Sequence, residues 1–268
     1  MSAGSIAVRP PAVAGMFYPA RAEAVRSLLR QCFAGSVAPD PDAAVPVAIV
    51  VPHAGHIYSG PIAASAYRRV EQAHDVIHRV LLLGPSHFVP FRGLALTSVD
   101  RWETPIGLVP IDIDAVERLQ RLPSVRVDDA PHAREHSLEV QLPFLQTVLD
   151  DFTLVPVAAG DATPEEVAPV IEAMWTDPHT LVVVSTDLSH YHRYETAIRQ
   201  DAATAAAIVD LRYADIGDHD ACGARPLRGL LRAVEARRLR VEQIDLRNSG
   251  DTAGDRSRVV GYGAFAIV

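Results

Sequence analysis

The chain has 268 residues, of which 49% are hydrophobic and 22% charged, enough for one well-packed core or at most two small ones. Lys and Arg total 25 against 33 Asp and Glu, and the formal charge of −8 argues against a phosphate-backbone partner. No Lys/Arg cluster carries interleaved aromatics, no apolar run approaches the roughly 18 residues of a membrane span, and MSAGSIAVRPPAVAG lacks a basic segment leading into an apolar one. Nucleic-acid, membrane and secreted classes are therefore set aside, and a cytoplasmic location is expected.

The elements follow in chain order. An amphipathic pattern over 25–33 places Cys32 as a small core residue. Residues 33–44, rich in Ala, Pro and Asp, read as a surface loop. Apolar, β-branched runs at 45–51, 80–83, 154–157 and 181–184 read as strands buried on both faces. Helical periodicity covers 62–70, 115–122, 138–149, 164–174, 196–209 and 226–237, with Ser137 as the expected N-cap of the third. Strands at 241–246 and 259–268 close the chain, one of them expected to be antiparallel. No repeat or low-complexity linker divides it. The pattern predicts a single three-layer α/β/α domain over 1–268 with a mostly parallel central sheet.

Three of the buried strands run straight into polar turns that carry histidine. AIVV leads to His53, VLLL to His87, and LVVVS to Asp187 and His190. In open α/β sheets, loops at the carboxyl ends of strands form the ligand crevice. One strand-end histidine is more often a loop or capping residue, but three delivered to one edge point to a site. His56 and His192 flank these turns as supporting or surface residues, and His74, His78, His179 and His219 lie in charged, solvated contexts.

The stretch PHAREHSLEVQ supports two readings equally. Either Glu135 and Glu139 complement a helix dipole, or Glu135 or His136 turns into the crevice. Cys222 precedes the helix at 226–237, where a helix N-terminus lowers a thiol pKa toward the metal-binding thiolate. Two cysteines make no disulfide framework, and both are expected as free thiols.

Two imidazoles and a thiolate would suit zinc, copper or iron. Asp187 and His190 share one loop, so the carboxylate could tune the imidazole for acid–base work. A metal-free pair, Cys222 attacking with His190 as base, is the third chemistry open to these residues. The chain has no GxSxG, no Walker lysine motif and no GxGxxG after a strand.

The motifs RPPAVAGMFYP, VPHAGHIYSGPIAASAY, LLLGPSH, TPIG, EHSLEVQLPFLQ, VVSTDLSHY, CGARP and NSGD…VVGYGAFA occur in this order from about Arg9 to Ala266. They resemble the Memo family, whose bacterial form is called AmmeMemoRadiSam system protein B. The resemblance implies a fold similar to the class III, LigB-type extradiol dioxygenases. It implies a metal pocket of His53, His87 and Cys222, with Asp187 and His190 as the catalytic acid–base pair. Iron or copper is the metal implied, with zinc a third candidate, and a dioxygenase-like oxidoreductase role follows. A small-molecule or peptide ligand is expected, together with radical-SAM and AMMECR1-domain proteins as partners. The alternative is a binding module that recognises a peptide or an anionic small molecule, with Arg225 as a contact. The sequence departs from the dioxygenases where Cys222 replaces their carboxylate ligand, which favours Cu(I), zinc or thiolate-bound iron. His56, at a position often aromatic in the family, and Phe88 after the GPSH histidine alter pocket polarity.

Overall fold

Four Val- and Leu-rich segments lie side by side at the centre of the structure. In this computed structural model, which describes residues 6–268, Ala48–Val51 pairs parallel with Thr180–Ser185. Thr180–Ser185 pairs parallel with Arg79–Pro85, and that strand with Thr153–Ala159. Every residue of Ala48–Val51 and of Thr180–Ser185 is buried, which is why the apolar runs are continuous rather than alternating. Residues 1–5, part of the stretch expected to carry no export leader, lie outside the described residues.

Antiparallel strands flank this parallel centre. Val259–Ile267 pairs antiparallel with both Ala48–Val51 and Val241–Asn248, and Leu94–Leu96 extends the other edge against Thr153–Ala159. Helices Ala22–Ala34, His56–Val70 and Leu142–Val148 pack on one another, while Pro164–Met174 packs against Ala224–Arg237. These two groups supply the outer layers of the three-layer α/β fold. Among the described residues no helix is long and apolar enough to cross a membrane.

Two expectations change. The helix expected over 138–149 is a 3-10 turn, Glu139–Gln141, running into Leu142–Val148 with a proline in its first turn. Ser137 does not cap it; its hydroxyl donates instead to the Pro85 carbonyl at 2.9 Å, tying this segment to the end of a central strand. A small sheet of Val8–Arg9, Arg101–Thr104 and Gly107–Pro110 was not legible, since these strands are too short to show a period.

The arrangement of the centre positions the site. Ala48–Val51, Thr180–Ser185 and Arg79–Pro85 are neighbours and parallel, so their carboxyl ends emerge together, carrying His53, His190 with Asp187, and His87. The turn bearing Cys222 closes on the same edge. A Cβ at Gly223 would lie 2.7 Å from Thr186 Cβ and 2.8 Å from the Ser185 carbonyl, so only glycine lets this turn approach the strand end.

Candidate metal centre

His53 sits at the floor of a cleft, 2% exposed. The hydroxyl of Ser185 donates its one proton to the Ser137 carbonyl at 2.6 Å. Its lone pairs must then accept from Gln141 Nε2 at 2.8 Å and from His53 Nδ1 at 3.0 Å. His53 is thus protonated on Nδ1, and its bare Nε2 faces the cleft. Burial first, and then the neighbouring His87, lower its pKa from 6.5 to about 3, which keeps it neutral.

His87 is fixed the same way by a different acceptor. Its Nδ1 donates to Glu135 Oε1 at 2.8 Å, and its backbone N–H donates to Glu135 Oε2 at 2.6 Å. A carboxylate only accepts, so Nδ1 of His87 carries a proton and Nε2 is the ring nitrogen turned to the cleft. Glu135 is fully buried and takes the N–H groups of His136 and Ser137 as well. Burial alone would raise its carboxyl, but the hydrogen bond and positive field of His87 and these N–H bonds bring it down to about 2.

The open question over PHAREHSLEVQ is resolved by these contacts. Glu135 positions a cleft histidine, and His136 stacks on His87 with ring centroids 4.6 Å apart. Glu139 serves the core instead: its carboxylate accepts from Arg9, the Ala12 and Val13 N–H groups and the Tyr18 hydroxyl. Neither acid is an exposed charge at a helix start. His53, His87 and His136 together offer ring nitrogens that all lie within 4.8 Å of one another.

Cys222 meets this cluster at His53, whose Nε2 is 3.1 Å from its Sγ. Sγ also accepts the Asp187 N–H at 3.3 Å. The helix N-terminus does not lower this thiol as expected; burial, and then the nearby Asp187 charge, push it up. Cys32 is 2% exposed in the core, as its place in the amphipathic pattern indicated.

Asp187 is buried, and its Oδ1 accepts the backbone N–H groups of His53 at 2.7 Å and Ala54 at 3.3 Å. Burial raises its pKa. Among the described residues no hydrogen bond joins it to His190, although both line the cleft. His56 is buried, its Nε2 donating to the Val140 carbonyl at 2.8 Å, while His74, His78, His179 and His219 are exposed.

The cleft has a volume of about 750 Å³, and Phe17, Tyr58, Tyr191 and Tyr262 line it together with the histidines. Cys222 lines a separate cavity of about 330 Å³ on its other side, with Arg225. Arg225 bonds Asp218 at 3.1 Å and lies 3.5 Å from Asp161, so its charge is already matched, and it is not in the histidine cleft.

The donor set suits a metal ion. The Nδ1 atoms of His53 and His87 are each held by a buried acceptor, which turns both Nε2 atoms toward the cleft, as histidine ligands require. Cys222 Sγ is 3.1 Å from His53 Nε2, but it is not within 4.8 Å of all the donors, and among the described residues His136 completes the three-donor group. His136 Nδ1 makes no hydrogen bond and stands 3.3 Å from Glu135 Oε1, beside the cluster.

Fold and site together define an α/β protein with a histidine cluster able to hold a metal ion at the carboxyl edge of its sheet. The chain belongs to the Memo family, described as Memo-like protein, whose pattern it matches over residues 9–266. A MEMO1 family protein of Methanopyrus kandleri is 37% identical, over 97% of this chain and 98% of its own length. One from Thermotoga petrophila is 34% identical, over 95% of this chain and 97% of its own length. Among solved structures, an uncharacterized protein of Escherichia coli K12 shares the fold with a TM-score of 0.51 at 16% identity, covering 80% of this chain and 98% of that one.

Proposed function

We propose that this chain is a cytoplasmic metal-binding protein with a redox role, holding iron or copper, with zinc as the third candidate, on His53, His87 and Cys222. The observation that carries this reading is the pair of anchored imidazoles: Ser185 and Glu135 each accept an Nδ1 proton and turn the two Nε2 atoms toward one cleft. His136, in the same cluster, is the competing third donor. The bound metal would supply Lewis acidity or electron exchange. Cys222 as a thiolate would soften the site and favour Cu(I), zinc or thiolate-bound iron over dioxygen-activating Fe(II). His190 and Asp187 line the same cleft and would move a proton to or from a ligand held there. Radical-SAM and AMMECR1-domain proteins remain the partners that the family resemblance implies.

Metal analysis of anaerobically purified protein tests the reading. Wild type should retain about one metal per chain, and a His53→Ala, His87→Ala double variant almost none. Equally poor binding of iron, copper and zinc by both proteins would refute it.

A non-catalytic binding module is the second reading, favoured by exposed aromatic side chains in the cleft wall, Tyr191 at 63% and Tyr58 at 37%, with exposed Phe88 packed on His136 beside them. Binding of a small-molecule or peptide ligand that survives loss of both His190 and Cys222 would select it.

A further inference from the structure

The cleft has a polar floor and an aromatic wall, and its mouth carries one cation. Among the described residues Arg258 is the only arginine lining it, and the sequence contains no lysine. Arg258 is exposed, and its guanidinium stands 5.2 Å from the Tyr191 ring centroid. Among the described residues it makes no ion pair. The nearest acid in sequence that shares the cleft is Asp255, and its Oδ1 is spent within its own turn, accepting the Ser257 N–H at 2.7 Å and its hydroxyl at 2.5 Å.

Tyr191 is held there at a backbone cost. It has φ +61°, a left-handed conformation that a tyrosine avoids, at an irregularity where His190–His192 pairs with Val259–Ile267. Such strain persists where the surroundings over-determine it, and it concentrates at ligand sites. Here it sets a ring in the cleft wall with a guanidinium stacked on it. At the floor stand Asp187 and the histidines, none of them a permanent cation, and Asp187 Oδ1 already accepts two N–H groups. The cleft thus carries the Asp187 carboxyl at its floor and, near its mouth, the Asp255 carboxylate turned into its own loop and a guanidinium that makes no ion pair among the described residues.

We infer that Arg258 determines ligand choice: the cleft takes a small molecule with a planar apolar body and an anionic head, carboxylate or phosphate. The head lies against Arg258 at the mouth, the body lies along Tyr191 and Tyr58, and the neutral end reaches the histidines. A volume of about 750 Å³ accommodates such a molecule. The net charge of −8 does not oppose this, because a guanidinium fork binds an anion through short charge-assisted hydrogen bonds, while distant charges are screened. The inference rests on the cleft being the ligand site of the proposed function, but not on its metal.

Calorimetric titration of the full chain tests it, using benzoate, phenyl phosphate and neutral benzamide at constant ionic strength. The decisive arm uses metal-stripped protein, so that no anion can bind through a metal. Benzoate or phenyl phosphate should bind roughly tenfold or more tightly than benzamide, and the tighter of the two identifies the head group. Arg258→Gln should abolish that preference, while Arg258→Lys should keep part of it. Arg134, stacked 5.1 Å over Phe88 beside the mouth, carries the same charge outside the cleft lining. Arg134→Gln should therefore preserve the preference.

No preference for the anions, a preference that persists in Arg258→Gln, or an equal loss in Arg134→Gln would each overturn the inference. A chain that takes up no metal yet shows the Arg258-dependent preference would refute the metal reading alone. A chain that loads metal on its histidines without that preference would refute this inference alone.

Discussion

The buried carboxylate of Glu135 holds His87 twice, through Nδ1 at 2.8 Å and through its backbone N–H at 2.6 Å. One acid therefore sets both the tautomer of the imidazole and the path of the loop that carries it. In Glu135→Gln an amide NH₂ at the Oε2 position would confront the His87 N–H, donor against donor, and the loop would shift. Metal affinity, measured by competition with a chromophoric chelator, should fall about 10- to 100-fold. An unchanged affinity would mean that the orientation of His87 does not matter to metal binding.

Buried neutral histidines give the fold an acid sensitivity that does not depend on the metal. His56 and His132 are almost wholly buried, and that burial lowers each from 6.5 to about 4. Between these values the unfolded chain takes up protons and the folded chain does not, so stability falls as pH drops from about 6.5 to about 4. His132 Nε2 donates to the Ala95 carbonyl at 3.0 Å, a bond that glutamine can replace. In His132→Gln the slope of unfolding free energy against pH across this window should shrink by up to about 1.4 kcal/mol per pH unit. Urea titrations of metal-stripped protein at several pH values measure it, and an unaltered slope would remove His132 from the account.

Strain at Tyr191 makes a prediction in which stability and binding move apart. Glycine adopts φ +61° freely, so Tyr191→Gly should hold or raise stability by about 1 kcal/mol while removing the ring from the cleft wall. Affinity for planar anions should drop in the same variant. A destabilised variant would show that ring packing, rather than ligand binding, maintains the strained backbone.

How much of this was readable follows from sequence distance. His53, His87 and Asp187 each close a buried apolar run, and continuous Val/Leu segments ending in a polar turn already imply one sheet edge. Glu135 and His136 were ambiguous because an acid spaced four residues from another, ahead of an apolar stretch, looks the same whether it caps a helix or orients a ligand. Only the approach of this segment to Pro85 and His87 separates the two. Arg225 was the expected anion contact because it lies near Cys222 in sequence, yet Asp218 and Asp161 match its charge. Arg258 had no local signature; it reaches the cleft on the approach to Val259–Ile267, whose place beside Ala48–Val51 is a long-range pairing. The positive φ of Tyr191 was equally invisible, since nothing in SHYHR demands it.

The third donor separates Cys222 from His136 by spectroscopy. Sγ of Cys222 lies 3.1 Å from His53 Nε2, whereas His136 stacks on His87 and belongs to the cluster within 4.8 Å. A thiolate ligand gives Co(II) an intense sulfur-to-metal charge-transfer absorption that nitrogen ligands lack. If Cys222 ligates, Co(II)-loaded wild type and His136→Gln should both show that absorption, and Cys222→Ser should lose it. Because burial and Asp187 hold the free thiol protonated, loading should also release a proton in wild type but not in Cys222→Ser. Absorption that is absent from wild type, with cobalt affinity lost in His136→Gln instead, would make the site a three-histidine centre and leave Cys222 as the wall between two cavities.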